Sequence, residues 1–67
     1  MPLVHVYVWK GFSNEAKKKT IEGITKVFME MGIPKEAVEI IIIEIPKENW
    51  GICSELASEK LREIHPP

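Results

Sequence analysis

The stretch Val38-Glu39-Ile40-Ile41-Ile42-Ile43-Glu44-Ile45 decides the fold of this chain of 67 residues. Successive side chains of a strand point to opposite faces, so four consecutive isoleucines make both faces apolar. A strand that is apolar on one face needs a single covering layer, whereas a strand that is apolar on both faces needs two. The stretch is therefore predicted to be a strand of a parallel sheet with cover on both sides.

A second run with the same property lies near the start of the chain, from Leu3 to Trp9. Its three valines alternate with leucine, histidine, tyrosine and tryptophan, so large side chains again occupy both faces. Pro2 begins the run at a position where its missing N–H costs no hydrogen bond of the sheet. Gly11-Phe12-Ser13 ends the pattern. The run is predicted to be the first strand.

One helix is predicted between the two strands. Ser13 is a favourable N-cap, and Glu15 suits the positive end of the helix dipole. Gly32 is placed to end the helix in a left-handed conformation. Spacing of three and four residues predicts one buried stripe, made of Ala16, Thr20, Ile21, Ile24, Val27, Phe28 and Met31. Charged residues are expected on the opposite side, namely Lys17, Lys18, Glu22 and Lys26.

Two strands separated by a helix of about 20 residues fit a right-handed β-α-β unit with parallel pairing. After this unit, Asn49-Trp50-Gly51 marks a tight turn that suits a short hairpin, and residues 54–62 carry helix-forming residues that suit a helical turn, so both alternatives stay open for the C-terminal part. Pro66 and Pro67 are expected to fray. The predicted fold class is α/β, a single domain over residues 1–67 with a parallel two-stranded core.

The covering layers of the predicted sheet do not all come from one chain. A single helix covers one face, so a second copy must cover the other. A domain of this size buries only about 60% of its unfolded surface and is marginal alone. Cys53 is the only cysteine, so no intrachain disulfide is available, and no zinc-site spacing joins it to His5 or His65. Oligomerisation is the predicted remedy, without a metal.

Charge and hydropathy narrow the choice of partners. Nine basic and ten acidic residues give a net charge of −1, which leaves no electrostatic footprint for nucleic acid or anionic lipid. No apolar stretch approaches the roughly 20 residues of a membrane span, and no secretion signal is apparent at the N-terminus. We expect a cytoplasmic protein.

Pro2 is the candidate for chemistry. Removal of the initiator methionine would leave Pro2 as the N-terminus with a free secondary amine. An α-amino group titrates near ~8, and an apolar pocket lowers that pKa toward neutrality. Such a group can take up a proton and return it. The alternative is that Pro2 only begins a strand.

An ordered set of residues carries a resemblance to a known family. The set consists of Pro2, Gly11, Ser13, Pro34, Glu44, Asn49-Trp50-Gly51-Ile52 and Glu55-Leu56-Ala57-Ser58. In this order and spacing, the chain from Pro2 to about Arg62 resembles the 4-oxalocrotonate tautomerase family. The resemblance implies a β-α-β subunit in a hexamer, arranged as a trimer of dimers. It also implies that Pro2 is the general base in the tautomerisation of enols and 2-oxo acids, without a cofactor.

The resemblance also implies a set of substrate-binding residues. Trp50 takes the place of an aromatic residue that keeps the pocket apolar, and Leu3, Trp9 and Ile52 match positions along the pocket wall. Two arginines that bind and polarise dicarboxylate substrates are replaced, one by Phe12 and one by Glu39.

The two replacements remove positive charge from the expected pocket. Lys10 is the nearest candidate for a substitute cation, ahead of Lys35 and Lys47. The first hypothesis is therefore an isomerase for a neutral, monocarboxylate or aryl-bearing enol. The second hypothesis, from another class, is a tautomerase-like oligomer that serves as a binding or scaffold protein with little catalysis.

Overall fold

Two parallel strands form the centre of the protein in the computed structural model, which describes residues Met1 to Pro67. Strand β1 spans Leu3–Trp9 and strand β2 spans Glu39–Ile45. Their register places Leu3 opposite Glu39 and Trp9 opposite Ile45. The predicted parallel pairing is confirmed. Strand β2 begins one residue later than predicted, because Val38 closes the preceding turn with a hydrogen bond from its N–H to the Lys35 carbonyl.

Helix α1 spans Asn14–Met29 and connects the two strands. The Ser13 hydroxyl accepts a hydrogen bond from the Ala16 N–H at 3.0 Å, so the predicted N-cap is confirmed. After the helix, Gly32 adopts a φ of +91°, as expected of a glycine that ends a helix in the left-handed region. No helix of the protein has the length and apolar character needed to cross a membrane.

The buried side of α1 is narrower than the sequence predicts. Ile21, Val27 and Met31 are 40%, 49% and 68% exposed, so their assignment to one buried stripe is wrong for the single chain. A sheet of two strands offers a surface only about 5 Å wide between the strand axes, which covers one ridge of the helix. The half-buried members of the predicted stripe lie along that ridge at intervals of four residues: Ala16, Thr20, Ile24 and Phe28.

Lys17 also departs from its predicted place on the solvent side. Its ammonium lies 3.0 Å from the Glu44 carboxylate near the end of β2. The same carboxylate accepts a hydrogen bond from the Gly11 N–H at 3.3 Å. Gly11 has a φ of +105°, a conformation that other residues rarely adopt. Glu44 therefore joins strand β2 to both the β1–α1 loop and the first turns of α1.

The chain after β2 forms both of the alternatives that the sequence left open. Strands β3 (Gly51–Ile52) and β4 (Glu55–Leu56) pair in an antiparallel hairpin, and helix α2 (Ala57–Lys60) follows directly. Ala57 is fully buried, and its N–H donates to the Trp50 carbonyl at 2.8 Å. This bond holds the start of α2 against the turn that precedes the hairpin.

The C-terminal prolines are not frayed, which corrects the sequence-based expectation. The Pro67 carbonyl accepts a hydrogen bond from the Ser13 N–H at 2.9 Å. The Pro66 ring approaches Gly11 so closely that a Cβ atom there would lie 3.4 Å from its Cγ. Apolar rings beneath this segment give it a packing partner, and the segment crosses back over the β1–α1 loop.

One face of the sheet has little cover within the chain, apart from the packing of Trp50 on Trp9 at its end. Glu44 contacts Lys17 of α1, so the side chains that share its face of the sheet point toward the helix. Leu3, His5 and Tyr7 lie on the other face and point away from the helix. Leu3, Tyr7 and Ile41 on this face are 56%, 57% and 47% exposed, and Ala57 is the only fully buried residue of the chain. The sequence-based inference that one helix leaves one face bare is confirmed.

We predict that a second copy of the chain covers this face. Ile41→Lys should raise the dissociation constant of the assembly by about 10- to 100-fold, because an isoleucine loses roughly 1.5–3 kcal/mol of burial. Sedimentation at micromolar concentration measures the effect. Glu22→Lys, on the exposed side of α1, is the matched control. A wild-type chain that sediments as a folded monomer would refute the prediction.

Glu44 should make stability depend on pH. The hydrogen bond from Lys17 is the largest cause that lowers the pKa of Glu44 below its ordinary 4.5, with the Gly11 N–H and the charges of Lys17 and Lys10 adding to it. A carboxyl whose pKa is lower in the folded state than in the unfolded state stabilises the fold at pH values above its unfolded-state pKa. This stabilisation is lost as the pH falls through the folded-state pKa.

Glu44→Gln is therefore expected to lower the free energy of unfolding at neutral pH and to cost progressively less below 4.5. Chemical denaturation at one protein concentration across this range measures the difference. Glu63→Gln, at a carboxyl that is 92% exposed, provides the matched control and should show no such dependence. A deficit that stayed constant down to acid pH would contradict the assigned role of Glu44.

Candidate active site

The N-terminal end of β1 holds three of the predicted site residues. The Pro2 carbonyl accepts a hydrogen bond from the Glu39 N–H at 2.9 Å, and Leu3 lies opposite Glu39 in the sheet register. Pro2 is half-buried, whereas Leu3 and Glu39 are exposed. We call this group, Pro2, Leu3 and Glu39, the proline end of the sheet. Met1 beyond it is 90% exposed and makes the Pro2 nitrogen an amide while it remains attached.

The opposite end of β1 holds an aromatic cluster, which consists of Trp9, Phe12 and Trp50. The rings of Trp9 and Trp50 meet edge to face, with centroids 6.0 Å apart and an interplanar angle of 79°. This arrangement is one that aromatic pairs favour. The indole N–H of Trp9 is buried and has no acceptor within the chain. A buried donor without an acceptor costs about 1–3 kcal/mol.

Lys47 is the cation nearest to the aromatic cluster. Its ammonium lies 4.7 Å from the centre of the Trp9 ring and donates hydrogen bonds to the Leu61 and Ile64 carbonyls. The sequence ranked Lys47 below Lys10, because Lys10 is closer along the chain to the first loop. No local pattern connects Lys47 with residues 14 and 17 positions away, so sequence reasoning had no signal for this contact.

The remaining candidates stand apart from the aromatic rings or on the surface. Lys10 is exposed, and its charge contributes to the lowered pKa of Glu44. Ile52 lies in β3 and is 37% exposed. Lys35 begins a short 3-10 turn before β2 and is exposed. No three His, Cys, Asp or Glu side chains lie close enough together to hold a metal ion.

One chain does not bring the proline end and the aromatic cluster together. The six residue steps from Leu3 to Trp9 span about 20 Å at roughly 3.3 Å per residue. Trp50 packs on Trp9, at the far end of this span from Pro2. The prediction that Trp50 lines a pocket beside Pro2 therefore concerns two chains of an assembly.

A cavity of about 310 Å³ adjoins the aromatic cluster. Its lining combines the end of β1 and the aromatic rings with the C-terminal segment, and contains no acidic side chain: Tyr7, Val8, Trp9, Phe12, Trp50, Ile64, His65, Pro66 and Pro67. Sequence reasoning missed the four C-terminal residues, because two prolines at a chain end usually indicate fraying. A second cavity of about 490 Å³ lies across Phe12 at the start of α1, where Glu15 and Lys19 make its lining more polar.

Comparison with known proteins gives one consistent result. The family described as "Tautomerase enzyme" matches residues 2–60. The 2-hydroxymuconate tautomerase of Comamonas testosteroni is 42% identical over 60 residues, which cover 88% of this chain and 95% of that protein. A structure from a study of 4-oxalocrotonate tautomerase isozymes of Methylibium petroleiphilum is 41% identical with a TM-score of 0.80, covering 85% of this chain and 94% of that one.

A further solved structure has the same fold at lower identity. TomN, described as a 4-oxalocrotonate tautomerase homologue of the tomaymycin biosynthetic pathway, has a TM-score of 0.85 and 31% identity, covering 91% of this chain and 95% of that one. These similarities extend over nearly the whole length of each relative. The chain belongs to the tautomerase family, as one of its 4-oxalocrotonate tautomerase-like members.

Proposed function

We propose that this protein is a cofactor-independent tautomerase that interconverts the enol and keto forms of 2-oxo acids, with Pro2 as the general base. The observation that carries the proposal is the position of Pro2. Pro2 directly precedes strand β1 of a tautomerase-family chain, and Met1, the residue before it, is 90% exposed. Removal of Met1 converts that nitrogen into a secondary amine.

The amine acts by moving one proton. In its neutral form it accepts the proton of the enol hydroxyl while the electrons of the O–H bond form the carbonyl and those of the double bond shift toward carbon. The resulting ammonium returns the proton to that carbon and regenerates the base. No electron acceptor is consumed, and the step is fastest when the pKa of the amine lies near the working pH.

We propose that the complete pocket is shared between subunits. A small enol acid cannot contact two groups about 20 Å apart in one chain, so the proline end must meet the aromatic cluster of another chain. The uncovered sheet face with Tyr7 and Ile41 supplies the apolar surface for such an association. A homo-hexamer, built as a trimer of dimers, is the assembly that the family resemblance favours.

The charges of the site favour a substrate with little negative charge. Phe12 and Glu39 stand where the resemblance expects arginines, and each charge-assisted hydrogen bond lost to a carboxylate is worth about 1.5–3 kcal/mol. The cavity beside Phe12 is mostly apolar, and Lys47 already donates to two backbone carbonyls. The proposed substrates are therefore neutral, monocarboxylate or aryl-bearing enols, such as the enol of an arylpyruvate.

A second candidate function is a catalytically weak oligomer that binds ligands without turning them over. The observation that favours it is Glu39, whose backbone is bonded to Pro2 and whose side chain brings negative charge to the proline end. A carboxylate near the amine stabilises its protonated form, which cannot act as a base. Turnover that depends on Pro2 separates the two candidates.

We predict that Pro2→Ala removes most of the tautomerase activity, by about 100-fold or more, as expected for loss of a positioned general base. The measurement is kcat/KM for the enol of phenylpyruvate, with both proteins shown by mass to begin at residue 2. Pro34→Ala, in the loop before β2, is the matched proline control. Full activity of the assembled Pro2→Ala protein toward every enol tested would make Pro2 a structural residue and favour the scaffold function.

We also predict that selectivity can be reversed. Phe12→Arg and Glu39→Arg together should raise kcat/KM for a dicarboxylate dienol by about tenfold or more, because each arginine offers charge-assisted hydrogen bonds to the substrate. Each single variant should recover part of the gain, since Phe12 and Glu39 lie at opposite ends of the two-stranded sheet. A folded double variant that keeps Pro2 as its N-terminus and gains nothing would remove these two positions from the pocket.

A further inference from the structure

The segment Leu61–Pro67, which we call the C-terminal strap, is fixed at both ends. At one end the Lys47 ammonium donates to the Leu61 carbonyl at 2.6 Å and to the Ile64 carbonyl. At the other end the Ser13 N–H donates to the Pro67 carbonyl at 2.9 Å. The match to the family covers residues 2–60 and ends just before the strap.

Between these anchors the strap crosses the aromatic cluster. Four of its residues, from Ile64 to Pro67, form one side of the cavity of about 310 Å³, and the cluster forms the other side. This volume lies at the lower end of the range for small-molecule sites, about 300–1,000 Å³. The strap therefore forms one wall of an open groove of substrate size.

The chemistry of the strap suits an apolar group. Pro66 and Pro67 present apolar rings and no N–H donor. Their fixed φ angles reduce the conformational entropy that the strap loses when it is held in place. Lys47 commits two of its three donors to strap carbonyls, so its role in the structure is to hold this wall in place. No acidic side chain lines the cavity.

We propose that the C-terminal strap is a wall of the substrate pocket and determines its specificity, by holding an aryl-sized apolar group of a monocarboxylate acid against Trp9, Phe12 and Trp50. The proposal rests on the proposed function and identifies its substrate class. Lys47 is a positioning residue in this scheme, because it acts through the strap and not on the reacting atoms.

Binding of an unreactive acid tests the strap without requiring turnover. Cinnamate carries an aryl ring and crotonate is its ring-free counterpart, and calorimetry gives the dissociation constant of each for the assembled protein. We expect wild type to bind cinnamate more tightly than crotonate. Removal of residues 63–67, or Lys47→Met, should reduce that preference by about tenfold, the effect of losing contact with one large apolar group.

Two controls keep the result interpretable if the shortened chain folds poorly. Lys47→Arg retains a cation that can donate to both carbonyls and should restore the preference, whereas Lys18→Met removes an exposed lysine of α1 and should leave it unchanged. Sedimentation verifies the assembly of every variant. An unchanged preference in assembled Lys47→Met and in the shortened chain, or no preference in wild type, would overturn the proposal.

The kinetic experiment separates this inference from the proposed function. If cinnamate binding depends on the strap but no enol is turned over in a Pro2-dependent way, the tautomerase function fails and the aryl-acid site stands. If turnover depends on Pro2 while the ratio of kcat/KM for the phenylpyruvate enol to that for the 2-oxobutanoate enol is the same with and without the strap, the strap inference fails alone.

Discussion

The parallel pairing of β1 with β2 is the constraint on which the rest of the structure depends. It places apolar side chains on both faces of a sheet that is only two strands wide, and α1 is the one long element available to cover them. The helix covers one face along a single ridge, which leaves Leu3, Tyr7 and Ile41 exposed. A chain of this kind gains a full core only by associating with other chains, so its folding and its assembly are one problem.

The same pairing sets where chemistry can occur. Both strands run in one direction, so the base candidate Pro2 lies at one end of the sheet and the aromatic cluster lies at the other. Each end is an incomplete site: the first has an amine without a pocket, and the second has a pocket without a base. Assembly therefore does more than stabilise the fold, because it is the event that brings the two halves of the proposed site together.

The sequence predicted well those features that depend on neighbours within a few residues. The strand periodicity, the Ser13 cap and the glycine after α1 are local signals, and the structure confirms them. The features it missed depend on contacts between distant segments. Lys17 meets Glu44, Lys47 meets the strap, and the strap folds back on the first loop, and no helical or strand period encodes such contacts. The site was predicted as a set of positions, but its division between two ends of β1 required the register.

Phe12 shows how the charge of the proposed pocket and its apolar lining are connected. An arginine at this position would place a cation in the lining of both cavities that Phe12 borders, and the apolar surface of the proline-lined cavity would partly desolvate that charge at a cost. An aromatic ring removes this cost and extends the apolar surface of Trp9 and Trp50. The strap can then lie over the cluster with its prolines against apolar rings, anchored by Lys47 at the rim. Phe12 and the strap are thus compatible parts of the proposed pocket, in which apolar contact rather than charge is the proposed source of substrate affinity.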